Sequence, residues 1–129
     1  MISMIALLSN IMTLIEFSHL GIEAKVVETK EFSQEQFFFK IRVSLKKKMY
    51  LQIRIYCNKG HFDYSYQLFG NMLAMRWDNK EDFPELTNYP HHYHADNGTI
   101  ESSELTGEPI RDIQIILTKL KEVMNLSNY

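Results

Sequence analysis

One cysteine among 129 residues rules out an internal disulfide framework and suits a reducing compartment, so a cytoplasmic location is expected. Cys57 sits in an alternating apolar run and reads as a small buried hydrophobe, not a nucleophile. Glycine and proline are scarce, at five and three residues. No glycine-rich phosphate loop, proline-rich linker or Cys-x-x-Cys pair occurs. Net charge is only -2, so no strong field advertises nucleic acid or a membrane surface, although a local basic face could hide in that total. No apolar run reaches the roughly 20 residues of a membrane span. Ser3, Ser9, Asn10, Thr13 and Glu16 break up the uncharged N-terminal stretch. It also lacks the cationic start and small-residue cleavage site of a secretory signal. No membrane partner is expected.

What the chain has is pattern. A hydrophobic content of 45% is enough for the core of one domain, expected to span 1–129. At 100° per residue, Ser3, Ser9, Asn10, Thr13 and Glu16 share one side of a helix, while Ile5, Leu8, Met12 and Ile15 share the other. The spacing predicts an amphipathic helix ending near His19 and Gly21. The period then becomes two. Residues 22–31 read as a first, weakly patterned strand. Phe37, Phe39, Ile41, Val43 and Leu45 alternate with polar residues, as do Met49, Leu51, Ile53, Ile55 and Cys57. Phe62, Tyr64, Tyr66 and Leu68 continue the series, followed by Leu73, Met75 and Trp77. Lys46-Lys47, Asn58-Lys59-Gly60 and Gly70-Asn71 supply the turns.

This is a meander of five to six antiparallel strands. Residues 78–98, rich in Asp, Asn, Pro and His, read as a long His-rich loop, and such loops are often functional. Ile110, Ile113, Ile116, Leu117, Leu120, Val123 and Met124 predict a final helix, with Thr106 or Glu108 as its cap and Pro109 in its first turn. The expected fold is α+β, with both helices on one face of the sheet and the other face open.

Chemistry concentrates in two places. Pro90-His91-His92-Tyr93-His94 holds three of the five histidines, and Arg76-Trp77-Asp78-Asn79 ends the last predicted strand. Alternation puts Lys40, Arg42, Gln52, Arg54, Tyr56, Asp63, Ser65, Gln67 and Arg76 on the open face. Arg42, Arg54 and Arg76 would form a cationic band beside Tyr50 and Tyr56, which suits single-stranded RNA; an ordinary solvated sheet face is the plainer reading.

The histidines admit three readings. They could work as metal-free acid–base groups, with His92 and His94 exchanging protons with RNA, His91 beside them, Arg76 on phosphate and Asp78 orienting a histidine. His92 and His94 could instead bind a metal with Asp78, Asp82, Asp96 or Glu85. Or they brace the loop by pairing with Asp78 or Glu85. Under the first reading no metal and no cofactor is expected, and Asn79 and Tyr93 join Arg42, Arg54 and Tyr56 as substrate contacts. Ser102-Ser103 lacks the flanking glycines of a nucleophile elbow. Trp77 reads as core, and His19 and His61 as solvated.

The order of helix, meander, Tyr64-Ser65-Tyr66-Gln67, Arg76-Trp77-Asp78-Asn79, Pro84-Glu85-Leu86, Pro90-His91-His92-Tyr93-His94 and final helix resembles the TumE-type toxins. These are small proteins of bacterial and archaeal toxin–antitoxin pairs, partnered with a helix-turn-helix antitoxin. The resemblance follows most of the chain in element order and is most specific over residues 64–94. Two departures stand out. Such proteins often carry Asp-Asn-Ala-Pro-His-His where this chain has Asp78-Asn79-Lys80-Glu81-Asp82-Phe83, so a first histidine pair is missing. Tyr93 also stands where a lysine is common. The resemblance implies a cytoplasmic toxin neutralised by a protein partner, and brings no established catalytic mechanism with it. The leading expectation is a toxin acting as a metal-independent endoribonuclease, with RNA and a second copy as further partners. A non-catalytic protein-binding module and a metal-dependent hydrolase are the alternatives.

Overall fold

The uncharged N-terminus forms helix α1 (Met4–Ser18), in a computed structural model that describes residues 2–126. Residues 1 and 127–129 of the expected domain lie outside the described part. Ser3 caps the helix, its Oγ accepting from the Ala6 amide at 3.1 Å. The buried stripe is Leu7, Ile11 and Ile15, one row at i, i+4 and i+8. It is rotated from the expected stripe, because that row faces the sheet and leaves Ile5 73% exposed.

The period-two segments become β1 (Gly21–Ser33), β2 (Gln36–Leu45), β3 (Met49–Asn58), β4 (His61–Gly70) and β5 (Leu73–Asp78). Two short strands follow, β6 (His92–His94) and β7 (Ile100–Ser102), and then helix α2 (Pro109–Leu126). The sheet has seven strands in sequence order, antiparallel throughout. The expected count was five to six. The difference arises in and just after the segment read as irregular: His92 and His94 stand on a short strand, while His91 stays in the loop before it. Three residues are too few to produce a readable alternation.

Burial follows the alternation in the central strands, where β2 and β3 bury every second side chain. Strand β1 is exposed or half-buried throughout, because it is the sheet's edge and meets α1 only near Gly21 and Ala24. This explains its weak sequence pattern. Between β2 and β3, Lys46–Lys48 forms a 3₁₀ turn. Gly70 lies against the backbone of Lys48 and Met49 with φ +111°, where a side chain would strike the Lys48 carbonyl.

Both helices pack on one face. Leu7, Ile11 and Ile15 of α1 and Ile113, Ile116, Leu117 and Leu120 of α2 share one core with the inward residues of β2, β3 and β4 and with Trp77. Cys57 is buried in that core. Among the described residues no helix is long and apolar enough to cross a membrane.

The approach to α2 is fixed by a buried carboxylate. Asp112 is fully buried and accepts from the Thr106 amide (2.9 Å), the Thr106 hydroxyl (2.9 Å) and the Gly107 amide (2.8 Å). Glu108 completes the cap, its Oε2 accepting from the Arg111 amide at 2.9 Å. Both residues singled out as caps therefore take part. Replacing Asp112 with Ala leaves three part-buried donors without their acceptor, so we expect Asp112→Ala to lower unfolding free energy by about 3 kcal/mol. Urea denaturation would check it; a loss below about 1 kcal/mol would show that this hook is dispensable.

Candidate functional site

Two pairs at i, i+2 build the site. In an extended strand such residues point the same way, so Arg76 and Asp78 share the open face of β5, and His92 and His94 share one face of β6. Antiparallel register then sets Arg76 opposite His94 and Asp78 opposite His92, bringing all four side chains to one spot.

Asp78 is the hub. It is 7% exposed, and its Oδ2 accepts from Arg76 Nε at 2.8 Å. Its Oδ1 faces His92 Nε2 at 2.9 Å and accepts from the Lys80 amide at 3.0 Å. His94 Nε2 lies 3.4 Å from Oδ2. The same nitrogen lies 2.9 Å from Arg76 Nη2 and 3.0 Å from His92 Nε2. On the far side of its ring, His92 Nδ1 meets the Pro90 carbonyl at 3.0 Å. Phe83 sets its ring edge-on to both imidazoles, with centroids 4.8 and 6.1 Å away.

These contacts give the histidines different chemistry. His92 is 1% exposed and faces oxygen acceptors from both nitrogens, so it is held as a doubly engaged strut. His94 is half-buried. Burial lowers its pKa from 6.5, and the Arg76 guanidinium pushes the same way against the opposing pull of Asp78. A neutral His94 offers its Nε2 lone pair as acceptor, and the guanidinium, which can only donate, supplies the hydrogen. Beside this cluster the open face has a cleft of about 580 Å³, lined in part by His61, Ser65, Arg76, Asp78 and Lys80.

The family model described as toxin TumE matches residues 11–124. The chain belongs to the TumE toxin family. It is accordingly the toxin component of a toxin–antitoxin system, with an antitoxin as its general partner. Comparison with curated proteins and with solved structures returns no match.

The other predicted site residues of this TumE-family chain scatter. His91 points to the helix side, where its Nδ1 meets the Tyr64 hydroxyl at 2.9 Å. Burial raises the Tyr64 pKa, with Asp112 adding to it, so the phenol keeps its proton beside the His91 ring. Burial also lowers the His91 pKa, against an opposing pull from Asp112. Tyr93 is also on the helix side, stacked on Trp77 at 4.8 Å. The sheet separates both from His94. Asn79 is buried and extends the β4–β5 pairing: its Oδ1 accepts from the Tyr64 amide at 3.0 Å and its Nδ2 donates to the Phe62 carbonyl at 2.9 Å.

Arg42 and Arg54 do lie on the open face. Arg42 shares a cross-strand row with Gln52, Gln67 and Arg76, and Arg54 one with Lys40, Ser65 and Asp78. At about 4.8 Å per strand, Arg42 is roughly 14 Å from Arg76. Their aromatic neighbours are Phe69 under Arg42 and Phe38 under Arg54, at 5.9 and 5.6 Å. Tyr56 instead accepts from Gln36 Nε2 at 2.6 Å. Sequence reasoning missed Phe38, Phe69 and Phe83. The first two follow from the same alternation that placed the arginines, whereas nothing local marked Phe83.

Metal ligation is geometrically open to three of these groups. Donor atoms of Asp78, His92 and His94 lie within 4.8 Å of one another, a grouping that two-histidine, one-carboxylate sites use. Arg76, however, already engages the Asp78 Oδ2 and His94 Nε2 lone pairs that a metal would need. It also places a permanent positive charge there, which repels a cation.

The lowered pKa values of His91 and His94 have a consequence for stability. Above about pH 6.5 both folded and unfolded chains hold these residues neutral. As pH falls below that value the unfolded chain takes up protons first, so stability drops. We expect the melting temperature to fall between about pH 7 and 5, and His91→Ala/His94→Ala to flatten that slope. Identical slopes in the two proteins would overturn the assignment.

Proposed function

We propose that this TumE-family toxin is a metal-independent endoribonuclease, acting in the cytoplasm as a single domain. The observation that carries the reading is the contact between a half-exposed guanidinium and the Nε2 lone pair of a neutral-leaning imidazole, Arg76 Nη2 to His94 Nε2 at 2.9 Å, on the face open to solvent. A phosphodiester docking on Arg76 brings the neighbouring 2′-hydroxyl within reach of His94. The phosphate draws the Arg76 guanidinium off His94, whose freed Nε2 takes the hydroxyl proton as the 2′ oxygen attacks phosphorus and the bond to the 5′ oxygen breaks. The leaving oxygen takes a proton from solvent, and the upstream fragment ends in a 2′,3′-cyclic phosphate. Arg76 stabilises the charge that gathers on the phosphate oxygens.

This division of labour differs from the paired His92 and His94 expected from sequence. Their Nε2 atoms are 3.0 Å apart, too close to stand on opposite sides of a phosphorus. His92, buried against Asp78 and Pro90, acts through its neighbours as a positioning residue. Asp78 does the same for Arg76. Arg54 and Arg42, seated on Phe38 and Phe69, carry the RNA strand away from the scissile phosphate. The antitoxin of this reading is of the helix-turn-helix class.

The test is cleavage of a single-stranded RNA by the purified toxin. Cleavage in EDTA with cyclic-phosphate ends is expected. His94→Ala or Arg76→Ala should lower the rate by about 10²–10⁴-fold. Arg54→Ala should raise KM with little change in kcat. The acid limb of the pH–rate profile lies below the ordinary histidine value, because burial and Arg76 lower the His94 pKa. Arg76→Gln should shift that limb upward while leaving the protein folded. Activity that EDTA abolishes and a divalent metal restores would favour the hydrolase reading. RNA left intact under every condition, with the chain still toxic, would favour a non-catalytic module that binds a protein.

A further inference from the structure

Strand β1 is the long edge of the sheet and is left uncovered. It runs for 13 residues, while the opposite edge, β7, has three. A long edge presents a row of unpaired amides and carbonyls that readily takes another strand. Apolar side chains line it as well: Ile22, Val26, Val27 and Phe32 are 68, 43, 47 and 61% exposed, and Ile5 of α1 is 73% exposed. The groove where α1 meets β1 continues the strip with Met12, Ile15 and Ala24.

The charges on this edge pair along the strand, Lys25 with Glu23 at 3.4 Å and Lys30 with Glu28 at 3.5 Å, and their order suits a second copy of the strand. Pairing with β2 runs Glu23↔Ser44, Ala24↔Val43, Lys25↔Arg42 and Val26↔Ile41, then resumes at Glu28↔Lys40, Thr29↔Phe39 and Lys30↔Phe38. Val27 is the extra residue of a bulge. The bulge resets which side chains share a face. Glu23, Lys25, Glu28 and Lys30 all stand on the open face, and Ala24, Val26 and Thr29 on the helix side. That acidic–basic–acidic–basic row is self-complementary. A second β1 laid antiparallel about a two-fold axis between Val26 and Val27 sets Glu23 opposite Lys30 and Lys25 opposite Glu28, twice over. It also sets Ala24 opposite Thr29 on the helix side. Without the bulge these partners would fall on opposite faces and the match would fail.

We propose that β1 pairs with β1 of a second copy, joining the two seven-stranded sheets into one continuous sheet across an isologous dimer. The apolar strip is then covered near the axis. Both open faces, with Arg76 and His94, lie on the same side of the joined sheet, because an axis normal to the sheet preserves its faces.

The experiment is light scattering on the purified full chain together with two charge variants. Lys25→Glu/Lys30→Glu makes the row all acidic, and Glu23→Lys/Glu28→Lys makes it all basic. Wild type should be dimeric at micromolar concentration. Each variant alone should dissociate at least about tenfold more readily, since like charges then face each other at four places. Their equimolar mixture should recover a heterodimer, which also shows that both variants fold. Wild type that stays monomeric, variants that dimerise as well as wild type, or a mixture that stays monomeric would each overturn the proposal. So would an edge that is protected from hydrogen exchange only when an antitoxin is bound.

Discussion

One nearly buried carboxylate organises the functional end of the molecule. Asp78 holds Arg76 on one oxygen and His92 and the Lys80 amide on the other. A carboxylate removed from water must have its lone pairs occupied by donors. Meeting that need ties the last residue of β5 to β6 and to the chain beyond. The β5–β6 pairing is only three residues long, too short to be stable on backbone bonds alone. Side-chain bonds across it make the short strand possible, so the site's chemistry and the sheet's extension rest on the same contacts. Phe83 closes over the imidazoles and limits water at their edges.

The same economy separates the three neighbouring histidines. Strand geometry sends His92 and His94 to the open side, while His91, in the loop just before β6, turns to Tyr64 on the helix side. On the helix side, His91 becomes one more polar anchor among Tyr64, Gly107 and the region of Asp112. On the open side the two imidazoles divide by depth. His92 is sealed in; His94 stays within reach of solvent and takes its character from burial and from Arg76. Adjacent identical residues thus acquire distinct environments, and a role cannot be shared among them merely because they are close in sequence.

Much of the fold could be read directly from the chain. Strands β2, β3 and β4 were legible because one of their faces is fully buried and the other is not, which forces a strict alternation from Phe37 to Leu68. Helix α2 was legible for the same reason at the helical period. Strand β1 was faint because an uncovered edge does not constrain its side chains. Strands β6 and β7 were invisible because three residues carry no period. Of the candidate site, Arg76, Asp78, His92 and His94 could be named in advance, and two i, i+2 pairs were enough to suggest shared faces. Tyr93 and Asn79 took other places, one on the helix-side stack with Trp77 and one on the β4 backbone.

Sequence alone determined the element order, the buried face and the residue types able to do acid–base or phosphate chemistry, because hydrophobic periodicity and residue type are local properties. It also carried the family, whose model matches residues 11–124. The tertiary structure decided which of those residues meet. Register between β5 and β6 set Asp78 against His92 and Arg76 against His94, and the bulge at Val27, one of three shifts along β1, aligned its charges on one face. Register and bulges are fixed by pairing between distant segments, and no window along the chain contains both partners.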